Sequence, residues 1–258
     1  QRLRPRGTLV QMRPRHIVVL GAGVHGLCTA FWLVRAGVQV TVLEQFGPGH
    51  DLGSSHGGTR ITRSSYDDPV FVRLAQDAHQ QGWPTLERAL HQPLRLPTPG
   101  LFFGPPRGLF ADYLTTTLGS GAPVERLALE AARARFPLLR FDDGEEVLLD
   151  HSAAVLLAAA TMQGLRTWLA AAGATLHFQT RATRLAPGPG GIHVSTEHGE
   201  VAADKVAVAV GAYATPALTG VPSGPVLHQQ VGYFGVDAAP SATQAGTFPV
   251  WARIGADA

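Results

Sequence analysis

Three glycines and a carboxylate near the amino end carry the clearest chemical signal in this chain: Gly21-Ala22-Gly23-Val24-His25-Gly26, and then Glu44. That spacing puts the first glycine at a tight turn and the second where backbone must approach a pyrophosphate. The third falls where a helix packs closely on a sheet. Free N–H groups and the positive dipole end at the start of that helix favour an anionic phosphate. Glu44 can accept hydrogen bonds from both hydroxyls of an adenosine ribose, and it would repel a 2′-phosphate. Two buried strands and a helix must hold these groups. The apolar run His16–Leu20 predicts the first strand, 24–36 the helix, and 38–43 the second strand, ending at Glu44. Strand, glycine turn, helix, strand and acid in that order are what a dinucleotide-binding unit requires.

Composition narrows the remaining choices. The chain has 258 residues, enough for one large or two small domains, and its net charge of +2 creates no strong field for nucleic acid. Its basic side chains are almost all arginine: Lys205 is the only lysine, and Arg2, Arg4, Arg6, Arg13 and Arg15 crowd the amino end. Residues 1–15 therefore read as a disordered basic tail, with Met12 as an alternative start. Cys28, the only cysteine, excludes an intrachain disulfide and reads as a small hydrophobe on the first helix. Gln163, Arg166 and Thr167 interrupt the most apolar long stretch, 153–172, so it reads as a buried helix rather than a membrane span. A cytoplasmic protein without metal, membrane or nucleic-acid partner is the expectation.

Further along, Asp68-Pro69 opens a helix that Pro84 interrupts or restarts. Five prolines between 93 and 106, around a short strand Leu101-Phe102-Phe103, mark a change of domain. Helices are expected over 109–118 and 125–134, a strand over 146–149, and a long helix over 153–172 capped by Ser152. Strands follow over 175–179, 181–185, 191–196, near Val201, and over 205–210, the last running into Gly211-Ala212-Tyr213. A further strand is expected over 226–236. The fold class is α/β, a Rossmann-like nucleotide domain with an incomplete α+β substrate domain. Residues 16–94 and 153–225 are assigned to the first, and 95–152 and 226–258 to the second.

The segment Gly53-Ser54-Ser55-His56-Gly57-Gly58-Thr59-Arg60-Ile61-Thr62-Arg63, directly after the glycine fingerprint, resembles the monomeric sarcosine oxidase and N-methyl-tryptophan oxidase family of D-amino-acid-oxidase-like flavoproteins. The block 191–213 resembles that family's second nucleotide-contacting region. The resemblance implies FAD in a glutathione-reductase-type domain and oxidation of a secondary amine such as an N-methyl amino acid. It implies hydride transfer to the flavin, reoxidation by oxygen to hydrogen peroxide, and hydrolysis of the imine. Carried over by position, it places the turn Gly21, Ala22, Gly23, Val24, His25 and Gly26, with Glu44, Gln45, Ser54, Ser55, Thr59, Arg60, Ile61, Ala182 and Gly211, on the cofactor. It places His56, Thr59 and Arg60 near the isoalloxazine, and Arg63 on the substrate carboxylate.

Side-chain chemistry fits these placements. A guanidinium near the ring favours the reduced, more negative flavin, and a planar guanidinium can hold a carboxylate through two parallel hydrogen bonds. His56 could tune the amine's proton state or simply be bonded to loop backbone. Surface ion pairs with Asp67 and Asp68 are the alternative for Arg60 and Arg63. The family's covalent flavin link and oxygen-activating lysine lie in its C-terminal third, and neither Cys28 nor Lys205 can be those residues. A truncated enzyme, or a half completed by a missing C-terminal segment or a partner chain, is therefore expected, with weak or absent turnover alone. A flavin dehydrogenase using another acceptor and an inert FAD-binding fragment remain open. A nicotinamide dehydrogenase would have no need of the loop after the fingerprint.

Overall fold

The structure, a computed structural model, describes residues 15–220, 224–227, 229–232, 235, 241 and 243–255. In chain order its elements are β1 (His16–Leu20), α1 (Val24–Arg35), β2 (Gln39–Leu43), β3 (Thr59–Thr62), α2 (Pro69–Asp77), a π-helical turn (Ala78–Gly82) and α3 (Trp83–Leu90). Next come β4 (Arg95–Pro97), β5 (Gly100–Gly104), α4 (Gly108–Leu118), β6 (Val124–Leu127), α5 (Leu129–Arg135), β7 (Glu146–Asp150), β8 (Ala154–Leu157) and α6 (Ala158–Ala171). The chain continues through β9 (Thr175–His177), β10 (Ala182–Gly188), β11 (Gly191–Thr196), β12 (Gly199–Ala203), β13 (Lys205–Val208) and β14 (Val250–Arg253). The described residues fall into two compact units, 15–56 with those of 162–227, and 57–161 with those of 229–255.

The first unit is built on a parallel sheet of order β13-β1-β2-β9. Its central strands are apolar along their length because both faces are covered. On one side α1 buries Gly26, Leu27, Ala30 and Phe31, and Phe31 packs on Trp168 at 4.6 Å between ring centroids. On the other, Val18, Leu20 and Leu43 pack with Val194 and Ala203 of the antiparallel meander β10-β11-β12. This is a Rossmann-like α/β arrangement, as the alternation of strand and helix along the chain requires.

The second unit holds a sheet of order β14-β5-β7-β6 and a smaller one of order β3-β8-β4. Leu101, Phe103, Val147 and Leu149 point to one face of the larger sheet and pack on Ala132 and Phe136 of the α5 region. Phe102 and Leu148 point to the other and pack on Phe110, Tyr113 and Leu114 of α4. The period-two alternation of β5 and β7 thus serves two cores at once. Residues 57–94, assigned from sequence with the nucleotide unit, lie in the second unit because β3 and β4 both pair with β8.

Three expected elements differ. The helix expected over 125–134 begins as strand β6, whose backbone pairs with β7, and only 129–135 are helical. The helix expected over 153–172 starts at Ala158, because Ala154–Leu157 instead completes the small sheet. An apolar alanine- and leucine-rich run suits a buried helix or a buried strand equally, and the neighbouring strand edges decide. Ser152 is therefore not a helix cap; its N–H and hydroxyl serve Asp150. Over 226–236, residues 226–227, 229–232 and 235 are irregular and the others lie outside the described residues. Leu227 there is 84% exposed, so its side chain has no sheet face to bury against. Residues 1–14 of the basic tail are likewise outside the described residues.

Candidate functional site

In the first unit the glycine turn closes as its spacing dictates. Gly21 has φ +99°, and a Cβ there would stand 2.4 Å from the Ala209 carbonyl oxygen at the end of β13. A Cβ on Gly26 would stand 1.8 Å from the Gly21 carbonyl oxygen, so helix and turn touch through backbone alone. Gly23, at the N-cap of α1, has no side chain of its own to cap the helix, and the first turn of α1 carries no acidic residue. The Val24 N–H donates to Ser55 Oγ at 3.0 Å. Ser55, far along the loop, is therefore brought to the glycine turn. The positive end of α1, with no acidic residue in its first turn, is the kind of site a diphosphate fits.

Glu44 ends β2 and is only 6% exposed. One of its oxygens takes the Ala22 N–H at 2.7 Å and the other the Phe46 N–H at 3.0 Å. His50 Nε2 lies 3.7 Å from the second oxygen, and its ring packs on Phe46 at 4.8 Å. The carboxylate so ties the glycine turn to the loop that follows β2, and half-buried Gln45 adjoins it. His25 and Gly211 line a groove of about 610 Å³ beside the end of β13, together with Thr29 and Val208. Ala182 opens β10 opposite Thr196 and packs at the edge of the sheet core. The exposed His56 ring bonds the Gly53 carbonyl through Nδ1. Exposed Ser54 precedes Ser55 in the same loop.

The remaining sequence-predicted residues sit in the second unit, on and just after β3. Thr59 and Ile61 are exposed, Ile61 at 46%. Arg60 is half-buried, and its Nη1 donates to the Thr59 carbonyl at 2.7 Å. Arg63 is half-buried with its Cζ 4.3 Å from the centroid of the Tyr66 ring and 5.4 Å from that of Phe102. Its Nε donates to the Ser65 carbonyl at 2.9 Å. Among the described residues, no acidic side chain forms an ion pair with Arg63. Asp68, a partner considered for it, instead caps α2 by accepting the Val70 N–H at 2.7 Å.

Beneath Arg63 lies a polar cluster that sequence reasoning missed. Asp150, fully buried at the end of β7, accepts from the Ser64 and Ser65 N–H groups at 2.8 and 3.0 Å and from the Ser65 hydroxyl at 2.9 Å. Its other oxygen takes the Ser152 N–H and hydroxyl at 2.8 and 2.6 Å. Tyr113 donates to the Ser65 carbonyl at 2.7 Å, and burial pushes its hydroxyl pKa up to about 12. His79, on the π-helical turn, meets Thr62 Oγ1 at 2.8 Å. Burial lowers its pKa, partly opposed by the nearby Asp150 charge. π-helical turns recur at functional sites, but neither this one nor a lone Asp150 in a leucine-rich strand leaves a periodic trace in sequence.

The family model described as FAD dependent oxidoreductase matches residues 16–253. The chain belongs to this family. FAD is its cofactor, and the glycine cradle, the open helix end and the buried Glu44 fit an adenine dinucleotide. Among curated relatives, monomeric sarcosine oxidase of Streptomyces avermitilis is 34% identical over 84% of this chain and 57% of that protein. The peroxisomal sarcosine oxidase of Mus musculus is 32% identical over 66% of this chain and 44% of its own length. N-methyl-L-tryptophan oxidase of Citrobacter koseri is 27% identical over 81% and 57%. The chain thus spans about half the length of these relatives. Among solved structures, NikD, an unusual amino acid oxidase essential for nikkomycin biosynthesis, matches with a TM-score of 0.69 at 27% identity, over 80% of this chain and 54% of that one. No helix among the described residues is long and apolar enough to cross a membrane.

Proposed function

We propose that this chain forms the FAD-holding turn and the substrate-carboxylate clamp of an amine oxidase acting on secondary amines of the N-methyl amino acid kind, with oxygen as acceptor and hydrogen peroxide as product. The observation that carries the reading is Arg63. A half-buried guanidinium, held against two aromatic rings and given no acidic partner among the described residues, fits a substrate carboxylate. The identity to sarcosine and N-methyl-tryptophan oxidases supports the amine class.

FAD, when bound, supplies the two-electron acceptor for the amine C–N bond. The turn Gly21–Gly26 would take its diphosphate and Glu44 its ribose hydroxyls, with Ser54, Ser55 and Thr59–Ile61 along the flavin. Arg60 would add positive charge where reduction builds up negative charge. Arg63 orients the substrate by its carboxylate, and His56, bonded to its own loop, stiffens the segment that leads to β3. Polypeptide corresponding to the unmatched part of the relatives would complete the pocket.

The test is a titration of the purified chain with FAD, followed by sarcosine. Flavin fluorescence is expected to be quenched on binding, and sarcosine is expected to perturb the bound flavin's absorbance. Arg63→Gln should keep FAD binding and lose the sarcosine effect. Absence of FAD binding, or an unchanged sarcosine response in the variant, would refute the reading.

A further inference from the structure

We propose that Asp150 is the positioning residue for Arg63, an inference that rests on the reading of Arg63 as the carboxylate clamp. A guanidinium binds a carboxylate through two parallel bonds only when its plane and edge are fixed. The fixing runs through a short relay. Asp150 Oδ2 gathers the Ser64 and Ser65 N–H groups and the Ser65 hydroxyl, which pins the peptide directly after Arg63. With that peptide pinned, the Ser65 carbonyl turns back and takes the Arg63 Nε–H at 2.9 Å, and Tyr113 braces the same oxygen at 2.7 Å. Tyr66 and Phe102 then hold the flat faces. The Nε–H is thereby engaged, which leaves the Nη groups, beside the Tyr113 hydroxyl, for a ligand.

A carboxylate is required at position 150. Its two oxygens face hydrogen-bond donors only, five of them, and each side includes a peptide N–H that cannot reverse its polarity. An asparagine must turn its NH₂ toward one set or the other. The buried acid is fully satisfied by the two serines beside Arg63 and by Ser152. Among the described residues no basic side chain forms an ion pair with it, so holding these serines in place is what its charge does.

Acetate is the carboxylate probe and acetamide its uncharged control, titrated into the full 258-residue chain by NMR; the Tyr66 backbone amide resonance reports binding in every variant, and the Arg63 Nε–H resonance reports exchange. That resonance is assigned by its loss in Arg63→Gln. Wild type should prefer acetate, and Arg63→Gln should lose the preference. If Arg63→Gln binds acetate as wild type does, the clamp reading itself fails. Asp150→Asn should bind acetate about threefold or more weakly, with acetamide unchanged and faster hydrogen exchange at Arg63 Nε. Ser65→Ala, which removes one donor and no charge, should shift the same exchange rate in the same direction and covers the case in which Asp150→Asn does not fold. An acetate affinity and an Nε–H exchange rate that stay at wild-type values in the folded variant, with only the melting temperature lowered, would overturn the positioning role while leaving the clamp reading intact.

Discussion

Replacing Gly21 by alanine tests the geometry of the turn proposed to hold the cofactor, and two separate costs can be read from the structure. The first is conformational: φ is +99°, where a side chain with a Cβ costs about 1–2 kcal/mol. The second is steric. The new methyl would stand 2.4 Å from the Ala209 carbonyl oxygen. Restoring ordinary contact needs the ends of β1 and β13 to part by about 1 Å, and overpacking of a close-packed interior costs about 1–3 kcal/mol. Together that is about 2–5 kcal/mol, a large share of the roughly 5–15 kcal/mol that holds a typical domain. Gly37 separates the two costs. Its φ is +77° and nothing lies within 4 Å of a Cβ there, so Gly37→Ala carries the conformational cost alone. Urea unfolding of both variants beside wild type gives the difference directly, and FAD titration of the folded protein reads its effect on the turn. The expected order of stability is wild type, Gly37→Ala, Gly21→Ala, with FAD affinity reduced only in the last. Equal destabilisation by the two substitutions would refute the close approach of the turn to β13.

Three further outcomes follow from single groups. Glu44→Gln must turn an NH₂ toward either the Ala22 or the Phe46 N–H and loses the charge; at about 1.5–3 kcal/mol for hydrogen bonds to a charged group, FAD affinity should fall about ten- to a hundredfold by fluorescence titration. Burial raises the Cys28 thiol to about 11. At pH 8 only about one thiol in a thousand would then be thiolate, so alkylation of native protein should be far slower than of urea-unfolded protein, and equal rates would contradict the packing of α1. Burial lowers the pKa of His79, so the unfolded chain binds a proton that the folded chain resists. Its contribution is present above the unfolded value of about 6.5 and is lost as pH falls below it, so wild type should lose stability on acidification faster than His79→Gln over that window.

The parts of this protein that sequence makes legible are those whose cause is local. The glycine turn, its flanking strands and Glu44 lie within one short run, and each carries a residue type that backbone geometry demands. β13 and the meander before it are legible for the same reason, since apolar alternation and Gly turns mark each strand. The helix expected over 153–172 shows the limit. Its first residues are apolar without period, and only the open edges of β3 and β4 make Ala154–Leu157 a strand. Arg63 shows a second limit. Its residue type was legible, but what sets its orientation was not, because Ser64 and Ser65 meet Asp150 across 86 and 85 residues of chain. A buried acid in a strand reads from sequence as an anomaly or an exposed edge, and only the fold shows five donors converging on it. On the function proposed for Arg63, the chemistry of the clamp would reside in that residue and its aim in one that no pattern around Arg63 announces. Substitutions remote in sequence but at the end of β7 should accordingly alter carboxylate recognition more than substitutions of exposed neighbours such as Asp67.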